Sequence, residues 1–263
     1  MFDSGVGGLT VLRALAEALP RERFLYLGDT ARLPYGTKGR ETVVRYALQA
    51  ADELVERGIK CLVVACNTAS GAALAAMRDR YEGLPLIGVI EPGAAAACAA
   101  SASGRIAVLA TEGTVRGGAY QQAIAQRRPE AVVTALACPL FVALAEEGWV
   151  DCAVTRATAQ RYLEPLLRER ASAPDTLVLG CTHFPVLRPA IAAVVGPGVA
   201  IVDSAATTAR VTAGRLAELG LLCAAGPAEF AFLATDGAER FARVGSAFLG
   251  RVIAPDEVDL IDL

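Results

Sequence analysis

Lysine and histidine are almost missing from this chain. Its 263 residues include only Lys38, Lys60 and the single histidine His183. One histidine excludes a multi-histidine metal centre, and neither lysine has an obvious setting for a pyridoxal Schiff base. Net charge is −3 and both signs are spread along the chain. No basic stripe exists, so no nucleic-acid partner is expected. Aromatic residues are also few, 6% against 54% hydrophobic, which makes the core aliphatic. No apolar run reaches the roughly 18 residues of a membrane span. The opening Met1-Phe2-Asp3-Ser4 lacks the basic and apolar regions of a signal peptide. A cytoplasmic protein without a membrane partner is expected. Cysteines stand at 61, 66, 98, 138, 152, 181 and 223. The count is odd and no spacing forms a disulfide framework, which points to reduced thiols.

What is present is an alternation of apolar runs with amphipathic helical stretches, the pattern of βαβ units and a mostly parallel sheet. Helices are expected over 8–19, 41–57, 68–81, 115–127, 153–169, 207–219 and 238–248, with shorter ones after Pro139 and from Pro185. Strands are expected over 24–27, 61–65, 86–90, 105–110, 131–137, 176–180, 199–202 and 230–233. The stretch from Gly93 to Gly104 reads as a small helix plus a linker. We expect an α/β protein of two pseudo-symmetric domains, each a mostly parallel sheet flanked by helices. The first covers 1–93 plus 206–263 and the second 94–205, with the active site in the cleft between them.

Two elbows carry the chemistry. Cys61-Leu62-Val63-Val64-Ala65-Cys66-Asn67-Thr68 is an apolar run ending in a thiol and small polar residues. Thr176-Leu177-Val178-Leu179-Gly180-Cys181-Thr182-His183 repeats it 115 residues later. Both halves run in the same order: strand with polar loop, helix, strand with proline loop, helix, strand with cysteine, helix. Asp3-Ser4, Pro34-Tyr35-Gly36 and Cys66-Asn67-Thr68 correspond to Thr111 to Thr114, Cys138-Pro139 and Cys181-Thr182-His183. In open parallel sheets ligands bind beyond the carboxyl ends of the strands, and all six loops fall there. A cysteine in an alanine-rich core is usually a small buried hydrophobe. That reading suits Cys61, Cys98, Cys138, Cys152 and Cys223. The repetition sets Cys66 and Cys181 apart, and a helix start beside each is expected to favour thiolate. His183 sits two residues after Cys181, where an imidazole suits proton exchange near neutral pH. The loop Asp3-Ser4-Gly5-Val6-Gly7-Gly8 fits neither the Walker pattern nor G-x-G-x-x-G, and its N–H groups suit a phosphate or a carboxylate equally.

Asp-Ser-Gly-Val-Gly-Gly-Leu-Thr-Val at 3–11, Gly-Asp-Thr-x3-Pro-Tyr-Gly at 28–36, Cys-Asn-Thr-Ala at 66–69 and Gly-Cys-Thr-His-Phe-Pro at 180–185 together resemble the glutamate racemase family. The likeness is collinear over essentially the whole chain. It implies a cofactor-independent isomerase that interconverts L- and D-glutamate for peptidoglycan synthesis, and a homodimer. Carried over residue by residue, it makes Cys66 and Cys181 the two acid/base thiols, with Asp3, Glu146 (Glu147 adjacent) and His183 as auxiliary groups. Substrate contacts fall on Asp3, Ser4, Pro34, Tyr35, Gly36, Asn67, Thr68, Thr111, Thr114, Thr182 and His183. The family has several apolar residues before this first motif where this chain has only Met1 and Phe2, so the first strand is expected to be nearly absent. One thiolate would remove the α-proton and the opposite thiol would return one. Spacing alone also allows aspartate or another small acidic amino acid. Two further readings stay open: a structural zinc on Cys66, Cys181 and His183, and a non-catalytic amino-acid-binding protein.

Overall fold

The structure is a computed structural model that describes residues 1–169 and 172–263. It holds two wholly parallel sheets. The first is built from β1 (Phe2–Asp3), β2 (Arg23–Gly28), β3 (Leu62–Val64) and β4 (Leu86–Gly88). The second is built from β5 (Arg105–Ala110), β6 (Val132–Ala137), β7 (Thr176–Gly180) and β8 (Ala200–Asp203). The chain then adds β9 (Glu229–Ala234) and β10 (Val258–Leu260) to the first sheet, beyond β2. Spatial order is β2-β1-β3-β4 in one and β6-β5-β7-β8 in the other. The two halves are therefore one topology used twice. β1 has only two residues, yet it lies between β2 and β3, pairing Phe2 with Leu27 and with Val64.

Helices flank both sheets. They are α1 (Leu9–Ala18), α2 (Arg40–Glu56), α3 (Asn67–Arg80), α4 (Ile90–Ala100), α5 (Glu112–Gly117), α6 (Ala119–Arg127), α7 (Pro139–Glu146), α8 (Ala153–Leu167), α9 (Arg188–Val195), α10 (Ser204–Glu218) and α11 (Ala238–Leu249). None is long and apolar enough to cross a membrane. On one face of the first sheet, Phe2, Leu27, Leu62 and Val64 pack with Ala47, Ala51 and Leu54 of α2 and Ala69, Ala73 and Met77 of α3. The small alanines bring these helices close to the sheet. The largest apolar cluster runs from Leu9, Leu12 and Phe232 to Leu179 and Phe184. The two sheets thus share one continuous core where α1 packs on α10.

The structure departs from expectation at several junctions. The strand at 86–90 stops at Gly88, and the expected linker after Gly93 is the body of α4. Pro92 is no obstacle in that first turn, because its missing N–H would have had no helical partner. The helix expected over 115–127 starts at Glu112 and breaks at Gly118, whose φ is +67°. That left-handed position suits glycine. Pro185 opens a 3-10 turn (Phe184–Leu187), and α9 follows with Pro189 in its first turn. α10 begins earlier than expected, because the Asp203 carboxylate accepts from the Ala205 N–H at 2.7 Å. β10 has too short an alternation to be read from sequence.

Candidate active site

Loops at the carboxyl ends of the strands converge where the sheets meet. β1 delivers Asp3, which is wholly buried. Gly5 N–H donates to Asp3 Oδ2 at 3.0 Å, and Tyr26 Oη donates to Gly5 O at 2.8 Å, so the loop is fixed from both sides. Burial pushes the Asp3 carboxyl up, against the opposing pull of His183 and the loop N–H groups. Gly7 is a close-approach position. A Cβ there would lie 2.4 Å from the His183 ring and from Thr182 Oγ1. Thr10 Oγ1 donates to Thr182 O at 2.8 Å, and Thr182 Oγ1 to Asp3 Oδ1 at 3.5 Å. The Asp3 loop from the first sheet is thereby seated on the Cys181 loop from the second.

Cys66 follows β3 and caps α3. Its Sγ accepts from Ala69 N–H at 3.4 Å and donates to Ser4 Oγ at 3.6 Å. The expected thiolate is not found here. Burial and the Asp3 charge push the thiol up to about 12, outweighing the Ala69 and Ser4 hydrogen bonds. Cys66 rests as a thiol, and the charge of Cys181 acts on it in the same raising sense. Asn67 beside it is held through Oδ1, which accepts from Tyr120 Oη at 2.8 Å. Its Nδ2 is buried without a partner, a donor whose desolvation is costly unless a ligand takes it.

Cys181 follows β7 directly and is buried. Its Sγ lies 3.9 Å from His183 Nδ1. His183 Nε2 lies 3.0 Å from Glu146 Oε1, and Glu146 Oε2 accepts from Arg240 Nη2 at 2.6 Å. Burial alone would lower the imidazole pKa. The contacts with Cys181 and Glu146 outweigh it and hold it up to about 10, so His183 is cationic at neutral pH. Glu147 is exposed, and the contact with His183 is made by Glu146. The ring of His183 stands edge-on to Phe248 at 5.3 Å.

Three hydroxyls close the Cys66 side. Thr68 Oγ1 is 3.0 Å from both Thr111 Oγ1 and Thr114 Oγ1, which are 3.1 Å from each other. Gly36 meets this cluster, and a Cβ there would sit 2.6 Å from Thr111 Cβ. Tyr35 is buried, but its hydroxyl bonds Asp29, so what it offers the cleft is backbone. Pro34 is exposed, its carbonyl taken by Thr37, and the structure does not join its ring to the others. Beside Thr68 and Thr114 opens a cavity of about 240 Å³, lined also by Lys38, Arg40 and Arg116. Three cations and no carboxylate line it. Arg116 Nη2 donates to Lys38 O at 3.1 Å across the seam.

Cys138 is buried at the end of β6 and pushed up to about 12, first by burial. Among the described residues no three His, Cys, Asp or Glu side chains group as a metal site. Sequence reasoning missed Tyr120, Arg240, Lys38, Arg40 and Arg116. Tyr120 and Arg240 look like ordinary helix residues, and nothing in the sequence brings them to the thiols. The three cavity cations surround the Pro-Tyr-Gly and Thr111–Thr114 loops, which was the available signal.

A profile of the Asp/Glu/hydantoin racemase family matches residues 7–212. The chain belongs to this family. Within it, the chain is 51% identical over 251 residues to a glutamate racemase of Geobacter metallireducens, covering 95% of this chain and 92% of that one. The crystal structure of a glutamate racemase isoform from Bacillus anthracis is similar with a TM-score of 0.93 at 36% identity, covering 100% of this chain and 96% of the other. A glutamate racemase from Francisella tularensis, solved in complex with D-glutamate, is similar with a TM-score of 0.91 at 32% identity, covering 99% and 95%. This Asp/Glu/hydantoin racemase thus has its full-length likenesses among proteins named for glutamate, as the resemblance of its motifs implied.

Proposed function

We propose that this chain racemises glutamate with two thiols, Cys66 and Cys181, one on each face of the α-carbon. One observation carries the reading. Two sheets of identical strand order present a cysteine at the same strand end, and the Asp3–Thr182 contact seats the two elbows together. Inversion needs the α-proton removed from one face and replaced on the other. Two opposed groups do this without migration. Cys181, beside a cationic His183, is the sulfur poised as base; Cys66, a thiol at rest, is poised as acid. The roles exchange for the other enantiomer. A substrate ammonium against Asp3 would remove one of the influences that hold the Cys66 proton.

The developing carbanion has no pyridoxal sink, so donors at the carboxylate must carry its charge. Asn67 Nδ2 is the prepared one, and the hydroxyls of Ser4, Thr68 and Thr182 are the other candidates. Thr111, Thr114 and the Tyr35-Gly36 backbone receive the side-chain carboxylate. The cationic cavity beside them suits an acidic substrate. The division into 1–93 plus 206–263 and 94–205 makes each thiol the property of one domain. A cytoplasmic homodimer supplying D-glutamate to peptidoglycan synthesis completes the reading.

The test is incubation with L- or D-glutamate in heavy water, without added cofactor. Inversion with one α-deuterium gained is expected. Binding without exchange would leave an amino-acid-binding protein, and turnover of aspartate in preference would reassign the substrate.

A further inference from the structure

Glu146 stands at a poor place for a carboxylate. It is the last residue of α7, where the helix dipole is negative, and Glu147 follows it. It is 15% exposed and holds His183 through Oε1. Its other oxygen is held by Arg240, which comes from α11 of the first sheet's layer while Glu146 comes from the second. Among the described ion pairs Arg240 is its only cation besides His183. Charges therefore alternate outward from the group beside the reacting sulfur: His183, Glu146, Arg240.

We propose that Arg240 is a positioning residue for the Cys181 half of the reaction, clamping Glu146 from across the interdomain seam so that His183 stays against the sulfur. This rests on the two-thiol reading above. A carboxylate with both oxygens engaged has one orientation, and an imidazole held through Nε2 can only turn Nδ1 toward Cys181. Without the arginine, Glu146 keeps one bond and its unfavourable helix end, and it swings toward water. The groups acting on His183 are Cys181, Glu146 and Asp3, with Arg240 behind Glu146.

His183 is the only histidine in the chain, so its imidazole can be titrated by NMR without assignment. In Arg240→Gln the two accounts of the arginine differ in sign. If it were merely a nearby positive charge, its removal would raise the imidazole pKa. If it positions Glu146, the pKa falls, by about one unit, because the anion leaves. We expect the fall, with kcat reduced about tenfold and KM within about twofold. Arg240→Lys should recover most of both, since an ammonium can hold the same oxygen as a point charge. Arg240→Gln should add little to Glu146→Gln, because the two act as one unit. An unchanged or raised imidazole pKa, or losses that simply multiply in the double variant, would overturn the proposal. If the wild type fails to exchange deuterium with glutamate, the two-thiol reading fails, and the imidazole titration still decides the clamp.

Discussion

Cys66 and Cys181 occupy the same strand end in two copies of one topology, yet their polar neighbours differ in kind. Cys66 has neutral partners, the Ala69 N–H and the Ser4 hydroxyl, with the Asp3 carboxyl near by. Cys181 has an imidazolium, backed by a carboxylate and a guanidinium. Burial is alike on both sides, so burial cannot be what separates them. The second charge in each shell does. An anion beside a buried thiol keeps its proton on, while a cation favours the thiolate. In the proposed two-thiol scheme this difference makes the Cys66 side the acid wall and the Cys181 side the base wall.

The largest test of that difference removes each sulfur in turn. Cys66→Ala and Cys181→Ala should each lower racemisation by about a thousandfold or more, in line with the loss of a general acid or base. The enantiomers have equal free energy, so kcat/KM falls equally in both directions and does not reveal the asymmetry. Solvent deuterium exchange without inversion does. Each variant should exchange only the enantiomer whose α-proton faces the surviving sulfur, and Cys66→Ala should retain the faster exchange at neutral pH. Full racemisation by either variant would break the comparison at its root.

A second test reads the cationic wall as stability. An unfolded histidine titrates near 6.5, while His183 holds its proton to about 10. A raised pKa stabilises the fold fully below 6.5, and that contribution is lost as pH climbs through 10. Each pKa unit corresponds to about 1.4 kcal/mol, so the loss amounts to a few kcal/mol. Urea unfolding at pH 6.5, 8 and 9.5 should show a decline, and His183→Asn should be flatter over that window. Cys66, which rises from about 8.5 to about 12, has the same sign but acts at higher pH and is retained in the variant. An equally steep decline in His183→Asn would show that the imidazole is not held charged.

The plan of both walls could be read from the sequence because it is periodic. Apolar runs, helix stops and loops recur in one order, so the parallel sheets, the two thiols and the neighbouring Asn67, Thr68, Thr182 and His183 followed from local pattern. The elements that erred were those decided by single residues in context, such as Gly118 splitting one helix and Pro92 sitting inside another. The charge state of Cys66 was misread because a helix start is visible in sequence, whereas the enclosing core and the buried Asp3 beside it are not. Arg240 and Tyr120 escaped because each acts through a residue distant in the chain, Glu146 and Asn67 respectively.

Asn67 offers a third test, confined to the acid wall. Its Nδ2 is a buried donor without a protein partner, while Tyr120 fixes the other end of the amide. Asn67→Asp keeps shape and replaces that donor with an acceptor. A ten- to hundredfold loss in kcat/KM is expected, the range for a hydrogen bond to a charged group. Tyr120→Phe, which frees the amide to turn, should lose less. If Asn67→Asp were as active as the wild type, the carboxylate would be bound elsewhere.

The smallest effect separates entry from chemistry. The cations Lys38, Arg40 and Arg116 line a cavity next to Thr68 and Thr114 on the Cys66 side, whereas on the Cys181 side Arg240 is spent on Glu146. Charges that gather an anionic substrate act on encounter and are screened by salt. Arg116→Gln should therefore lower kcat/KM about threefold at low ionic strength, leave kcat nearly unchanged, and approach the wild type at about 0.5 M salt. L- and D-glutamate should respond alike, because steering precedes any discrimination at the α-carbon. The loss in Arg240→Gln, by contrast, should lie in kcat and persist in salt, since Glu146 and His183 are shielded from solvent. A salt-independent defect in Arg116→Gln would place that arginine in the chemistry rather than at the entrance, and would remove the distinction between a wall that admits substrate and a wall that holds its base in place.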